Sequence, residues 1–204
     1  MTIHFHRGDL PAHVRFSGSV AIDTEAMGLN VQRDALCLVQ LSAGDGDAHV
    51  VQIERPFRGA PHLVALLADP EVLKIFHFGR FDIAMLAHHL SADIRPVYCT
   101  KIASRLVRTF TDKHGLKELV KEFVGVDLSK QQQSSDWGAR DLTEAQIAYA
   151  ASDVLYLHQI KARLDEMLAR EGRQHLAQAC FDFLPTRAAL DIAGWPEIDI
   201  FAHA

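Results

Sequence analysis

Residues 134–157 read SSDWGARDLTEAQIAYAASDVLYL. The stretch opens in polar loop residues and then turns helical. Thr143 is a helix N-cap, and Gln146 three residues on completes a capping box. Helix formers continue to Arg170, and Gly172 offers a stop, so one long helix is expected from Thr143 to Arg170. On it Tyr149 and Asp153 are four residues apart and share a face. Their neighbours Ile147, Ala150, Ala151, Val154, Leu155 and Leu157 are apolar. A carboxylate in that company is costly unless a cation or a set of donors meets it. An Asp bonded to a nearby backbone group or exposed to water is the default for a lone Asp on a helix. Partners must come from elsewhere in the chain.

Upstream, short strands are expected first. His13 to Phe16 is a weak one and Ser19 to Asp23 a better one. Ala35 to Leu41 and Ala48 to Ile53 follow, separated by the turn-rich residues Gly44 to Asp47, which together suggest an antiparallel meander. The period then changes. Pro61 to Leu67 reads as a helix with Pro in its first turn, Val72 to Phe76 as a strand and Arg80 to Leu90 as an amphipathic helix. Val97 and Tyr98 suggest a short strand, and Ile102 to Val107 and Leu116 to Val124 further helices, the last closed by Gly125. Three strands followed by alternating helix and strand imply an α/β fold with a mixed sheet, antiparallel meander plus parallel strands, flanked by helices. The tail keeps Phe181, Phe183, Leu184, Trp195, Ile198, Ile200 and Phe201, too much apolar surface to leave in water. A helical tail, residues 172–204, is expected to pack on a catalytic core of about residues 10–170, making one domain of residues 1–204. A homodimer contact through the tail is the alternative to a monomer.

Asp23 and Glu25 end the strand VAID two residues apart, so both project from one face. Like charges this close repel. Asp82 follows the strand LKIFHF and starts a helix, where the helix dipole alone favours an acid. Four carboxylates meeting in one place would be unfavourable without cations. Oxygen-only donors suit hard ions such as magnesium or manganese. Two such ions about 3.5–4 Å apart can hold the attacking and leaving oxygens of a phosphoryl transfer.

Composition limits the alternatives. The chain has 204 residues, 49% of them hydrophobic, and a formal net charge of −5. Its length suffices for one full core. The charge argues against a coating protein for nucleic acid but leaves room for a nuclease built on carboxylates. Three scattered cysteines, with no CxxC pair, argue against structural zinc and a disulfide framework. No apolar run reaches the length of a membrane span. The first residues, MTIHFHRGDLPAHV, carry charge and Pro where a signal peptide needs an apolar run, so a cytoplasmic location and no membrane partner are expected.

The order Asp23-x-Glu25, then Asp82, then Tyr149-x-x-x-Asp153 resembles the DEDD 3′–5′ exonucleases, in the subgroup with Tyr before the last Asp. The pieces SDW at Ser135 to Trp137, Arg140, Gln146 and YAASDVLYL from Tyr149 are similar to ribonuclease D, over about residues 10–170. The resemblance implies a ribonuclease H-like fold, two divalent ions (Mg2+ or Mn2+) on Asp23, Glu25, Asp82 and Asp153, and a nucleophilic water positioned by Tyr149. It implies hydrolysis of single-stranded nucleic acid, RNA favoured, from the 3′ end to nucleoside 5′-monophosphates, in RNA 3′-end processing or decay. Position 148, five before Asp153, is Ala, so the subgroup with His there is set aside. Asp141 stands where Pro usually follows the Arg, and Gln131 where Ser often follows the Lys. The extra helical domains of long ribonuclease D proteins have no counterpart here, which weakens an expectation of tRNA-selective binding.

Substrate contacts are expected from Met27, Gly28 and Leu29, wedged against the last base and sugar, and from His77, Phe78 and Arg80 around Asp82. Phe78 can stack on a base and Arg80 reach a phosphate. Lys101, Lys117, Lys130 and Arg140 are the nearest further phosphate contacts, and Trp137 stacks on a base or anchors its loop. Three rivals remain open: the same chemistry on DNA or on both polymers, since the contacts to the 2′-hydroxyl have no visible signature; a non-catalytic nucleic-acid binding module, whose expected mark is a lost carboxylate; and a helper subunit acting through the tail.

Overall fold

The computed structural model describes residues 2–129, 131–132 and 134–203. A six-stranded mixed sheet runs through it, in the order β1-β4-β3-β2-β5-β6. The strands are β1 (Ile3–Arg7), β2 (Ser19–Ala26), β3 (Leu36–Ser42), β4 (Ala48–Gln52), β5 (Leu73–Phe76) and β6 (Val97–Cys99). The pairs β2/β3 and β3/β4 are antiparallel, forming the expected meander. The pairs β1/β4, β2/β5 and β5/β6 are parallel. Every residue of β3 is buried, which is why LCLVQLS reads as a nearly continuous apolar run rather than alternating.

Two expectations about strands need correcting. His13 to Phe16 forms no strand. The first strand is instead IHFHR, where Ile3 and Phe5 alternate with His4 and His6. The period of two was there to read, but histidines on the second face blur the contrast with the apolar residues.

The helices are α1 (Pro61–Ala68), α2 (Arg80–Leu90), α3 (Thr100–Val107), α4 (Leu116–Val124), α5 (Glu144–Ser152), α6 (Leu157–Arg170) and α7 (Gln174–Ile192). Helix α5 lies over β1, β4 and β3, and α6 against β5, α3 and α4. Helix α2 packs on β2 and β3, and α7 against α2, β6 and α3. The expected capping box is present: Thr143 Oγ1 accepts from the Gln146 N–H at 3.2 Å, and Gln146 Oε1 accepts from the Thr143 N–H at 3.0 Å.

The single helix expected from Thr143 to Arg170 is two. Ser152 Oγ donates to the Tyr149 carbonyl at 2.7 Å, competing for the acceptor that the Asp153 N–H would use in a continuing helix. The Asp153 N–H turns to the Ala150 carbonyl at 3.3 Å, and the chain makes a turn before α6 begins at Leu157. The break places Asp153 at the end of α5, with its carboxylate toward the sheet.

The tail forms α7, with Ala177, Phe181, Leu184 and Ala188 buried at helical spacing. Beyond it the chain stays on the surface. Phe183 on α7 and Trp195, Ile198, Ile200 and Phe201 after it remain exposed, so packing on the core holds for Phe181 and Leu184 but not for these five. Among the described residues no helix is long and apolar enough to cross a membrane.

Candidate active site

Strand β2 carries Asp23 and Glu25 on one face, the face turned toward Asp153 at the end of α5. Their carboxylate oxygens and that of Asp153 lie within 4.8 Å of one another. Asp82, in the first turn of α2, stands just behind this group and is buried. Its Oδ1 accepts from Thr24 Oγ1 at 2.7 Å. Thr24 sits between the two acids of β2, so it faces the other side of the strand and ties α2 to the sheet there. Its role was not foreseen, although its position between the acids is the signal that finds it.

The electrostatics show what brings these groups together at a cost. Burial first, then the charges of Asp82, Asp153 and Glu25, raise the Asp23 carboxyl well above the usual carboxylate range. Burial and then Asp153 and Asp82 push Glu25 up to about 8. Burial and Asp82 push Asp153 up to about 7. Burial raises Asp82 itself to about 7, against the hydrogen bond from Thr24. No lysine or arginine among the described residues offsets these charges. A set of hard oxygen donors with no internal counter-charge fits a divalent cation and nothing softer.

A dependence of stability on pH follows. Unfolded, these groups titrate near 3.8 to 4.5, and folded, near 7 to 8. Between those values the folded chain holds more protons than the unfolded one. Stability of the metal-free protein is therefore expected to fall as pH rises from about 4 to about 8. Magnesium should flatten this slope. Thermal melts at pH 5 and pH 8, with magnesium or with chelator, measure it, and a metal-free melting temperature that climbs across the window contradicts the arrangement.

Tyr149 projects from α5 one turn before Asp153. Its ring lies 6.0 Å from that of Trp137, which is buried and anchors the loop before α5. Burial and the Asp153, Glu25 and Asp23 carboxylates raise the phenol further above its ordinary value, so it stays protonated.

The expected substrate residues divide into groups. Met27 and Leu29 are exposed beyond the end of β2, and Phe78 is exposed beside Asp82. Phe78 adopts φ 63°, a left-handed conformation that holds the ring at the mouth of a cleft shared with Leu29 and Phe81. Gly28 has no room for a side chain: a Cβ there would run into the Asp34 carboxylate, which accepts from the Asn30 N–H at 2.9 Å. The Lys101 ammonium sits 4.3 Å from the centre of the Phe78 ring. His77 Nδ1–H donates to Thr100 Oγ1 at 2.9 Å, and that hydroxyl donates to the Phe76 carbonyl. Burial and then Lys101 push the imidazole down to about 3, so it is neutral. Arg140 is exposed at the far side of the Trp137 loop. Lys130 lies outside the described residues. Asp141, in place of the usual Pro, accepts from Arg7 at 2.8 Å.

Arg80 is the correction. Its guanidinium is not free for a phosphate: Nε and Nη2 donate to the two Asp191 oxygens at 2.6 and 2.8 Å, and Nη2 also donates to the Pro196 carbonyl. This side chain straps α7 and the segment after it to α2. Arg80→Ala is expected to cost about 1–3 kcal/mol, as for a charge-assisted bidentate pair that is partly exposed. Urea unfolding checks it, and an unchanged midpoint means the strap is not holding the helix.

The 3′–5′ exonuclease family profile matches residues 9–169. Brucella melitensis NrnC is 59% identical, with full coverage of both chains and a TM-score of 0.96. Structures of that protein are described with bound Mg2+ and bound to pGG. Escherichia coli RNase D, an exoribonuclease, is 28% identical over 84% of this chain and 45% of its own, with a TM-score of 0.75, which matches the ribonuclease H-like fold. A ribonuclease D of Gluconacetobacter diazotrophicus is 41% identical over 157 residues, 76% of this chain and 39% of the relative. The chain thus spans about two fifths of the length of the curated ribonuclease D proteins it matches. By profile, sequence and fold, the chain belongs to the 3′–5′ exonuclease family.

Proposed function

We propose that this chain is a metal-dependent 3′–5′ exoribonuclease of ribonuclease D type, releasing nucleoside 5′-monophosphates from single-stranded RNA. One observation carries the reading: Asp23, Glu25 and Asp153 hold their oxygens within 4.8 Å of one another, with no basic side chain among the described residues to offset them. Such a group is tolerable in a folded protein when cations occupy it. Two ions, magnesium or manganese, suit the four carboxylates, with Asp82 completing the set from behind.

When bound, the cations polarise the phosphodiester and acidify water, and they offset charge on the leaving oxygen. The protein supplies the rest. Asp23, Glu25 and Asp153 present hard donors from two elements of fixed spacing. Thr24 holds Asp82 in one rotamer. Tyr149, protonated, orients the attacking water through its hydroxyl rather than removing its proton. Met27, Leu29 and Phe78 form an apolar, exposed rim fit to stack on the terminal base, with Lys101 beside Phe78 to meet a phosphate. Given the NrnC complex with pGG, very short 5′-phosphorylated RNA is the substrate to try first.

The test is one assay. RNA and DNA oligomers with free 3′ ends are mixed with the protein and magnesium, manganese or chelator. The expected result is a ladder shortening from the 3′ end of RNA, only with metal. Intact RNA under every condition refutes the proposal, and shortening of DNA at the same rate refutes the sugar preference.

A further inference from the structure

A concavity of about 550 Å3 lies beside the carboxylate group and takes no part in the chemistry above. Four arginines line it: Arg7 at the end of β1, Arg55 and Arg58 in the loop after β4, and Arg140 in the loop before α5. Glu54 is the one acidic residue in the lining. In a chain of net charge −5, four guanidinium groups around one hollow make a concentrated positive field.

These arginines are held by few partners. Arg33, Arg80, Arg108 and Arg187 each pair with a carboxylate. In the groove, Arg7 shares Asp141, which is itself largely in water, and Arg55 donates only to the Cys37 thiol. Among the described residues nothing engages the guanidinium groups of Arg58 and Arg140, and both are exposed. The loop that carries Arg140 is nonetheless fixed. Gln52 Nε2 donates to the Ala139 carbonyl at 3.0 Å and to the Arg140 carbonyl at 3.2 Å, pinning that loop to the end of β4. Free cationic forks on a fixed backbone match phosphate oxygens, which a guanidinium binds two at a time.

The groove begins where the carboxylates end. Trp137 forms part of its wall and packs against Tyr149. Cys37 lies on its floor, one residue along β3 from Leu38, which pairs with Glu25. The apolar rim of Leu29 and Phe78 and the four arginines line two separate clefts.

We propose that the groove of Arg7, Arg55, Arg58 and Arg140 is a second, metal-independent phosphate site that receives the phosphates of single-stranded RNA upstream of the bond being cut. It rests on the nuclease reading for its ligand. Its function is attraction. The carboxylates repel an incoming strand until cations occupy them, and the arginines hold the strand meanwhile.

The test separates binding from turnover. A short oligoadenylate with fluorescein at its 5′ end is titrated with the full chain in EDTA, following anisotropy at several salt concentrations. The double variant Arg58→Gln/Arg140→Gln is compared with a charge-matched control, Arg163→Gln/Arg170→Gln, on the exposed surface of α6. The groove variant is expected to bind at least about tenfold more weakly, and its salt slope to fall by about 1.4, about 0.7 for each lost phosphate contact. The control is expected to keep wild-type affinity and slope. Wild-type affinity and slope in the groove variant overturn the proposal, as does an equal loss in the control, which would assign the effect to bulk charge. The binding arm involves no magnesium and no cleavage, so a wild-type protein that fails to shorten RNA would refute the nuclease reading while the anisotropy still reports on the groove.

Discussion

Asp153→Asn is expected to abolish magnesium-dependent shortening of RNA, a loss of roughly a thousandfold or more. The substitution keeps the shape of the side chain and removes one of three oxygens' charge from the group that would hold the cation. The same change is expected to stabilise the metal-free protein. Asp153 is raised to about 7 from 3.8, so at pH 8 the folded state carries a charge it resists. About three units at ~1.36 kcal/mol each set an upper bound near 4 kcal/mol. Because Asp82, Asp23 and Glu25 retitrate when Asp153 is neutral, a gain of roughly 2 kcal/mol is the expected result at pH 8, fading toward pH 4. Loss of activity with a gain in stability is a combination that a purely structural aspartate would not give. Retained activity, or a lower melting temperature at pH 8, removes Asp153 from the site.

The second large effect is kinetic. Tyr149→Phe is expected to lower kcat by roughly a hundredfold, with KM and magnesium affinity little changed. The ring and its packing on Trp137 survive the change, and only the hydroxyl is lost. Because the phenol is held protonated by burial and three carboxylates, the rate should show no limb that belongs to Tyr149 ionisation. Equal kcat in wild type and variant would make Tyr149 a core residue. Equal losses in rate and in stability would say the same.

Much of the fold was legible because each element obeys a local rule. The capping box at Thr143, the Pro at the start of α1 and Gly125 after α4 mark ends that the structure reproduces. The missed features are those where local and tertiary demands conflict. The helix expected to run on past Asp153 gives way to a turn where the Ser152 hydroxyl competes for the Tyr149 carbonyl, an event that propensity does not register. β1 escaped because histidines fill the alternate positions of an edge strand. The spacing of the acids was readable, but their distances were not. Three meet in one cluster, while Asp82 stays behind them on a bond to Thr24. Arg80 was misread for a similar reason. Its partner Asp191 lies 111 residues away, on a helix whose only mark in the sequence is its apolar residues. The arginine groove was invisible beyond Arg140, because its members come from three separated segments brought together by the parallel pairing of β1 with β4 and by the bonds of Gln52 to the Arg140 loop.

Crystals of the protein grown or soaked with manganese, measured at the manganese absorption edge, examine the metal site most directly. The expected result is anomalous density between Asp23, Glu25 and Asp153, each with an oxygen bound to an ion, with a second peak toward Asp82, and none of it in crystals of Asp153→Asn. Density at other side chains only, with these carboxylates bare at saturating manganese, would contradict it.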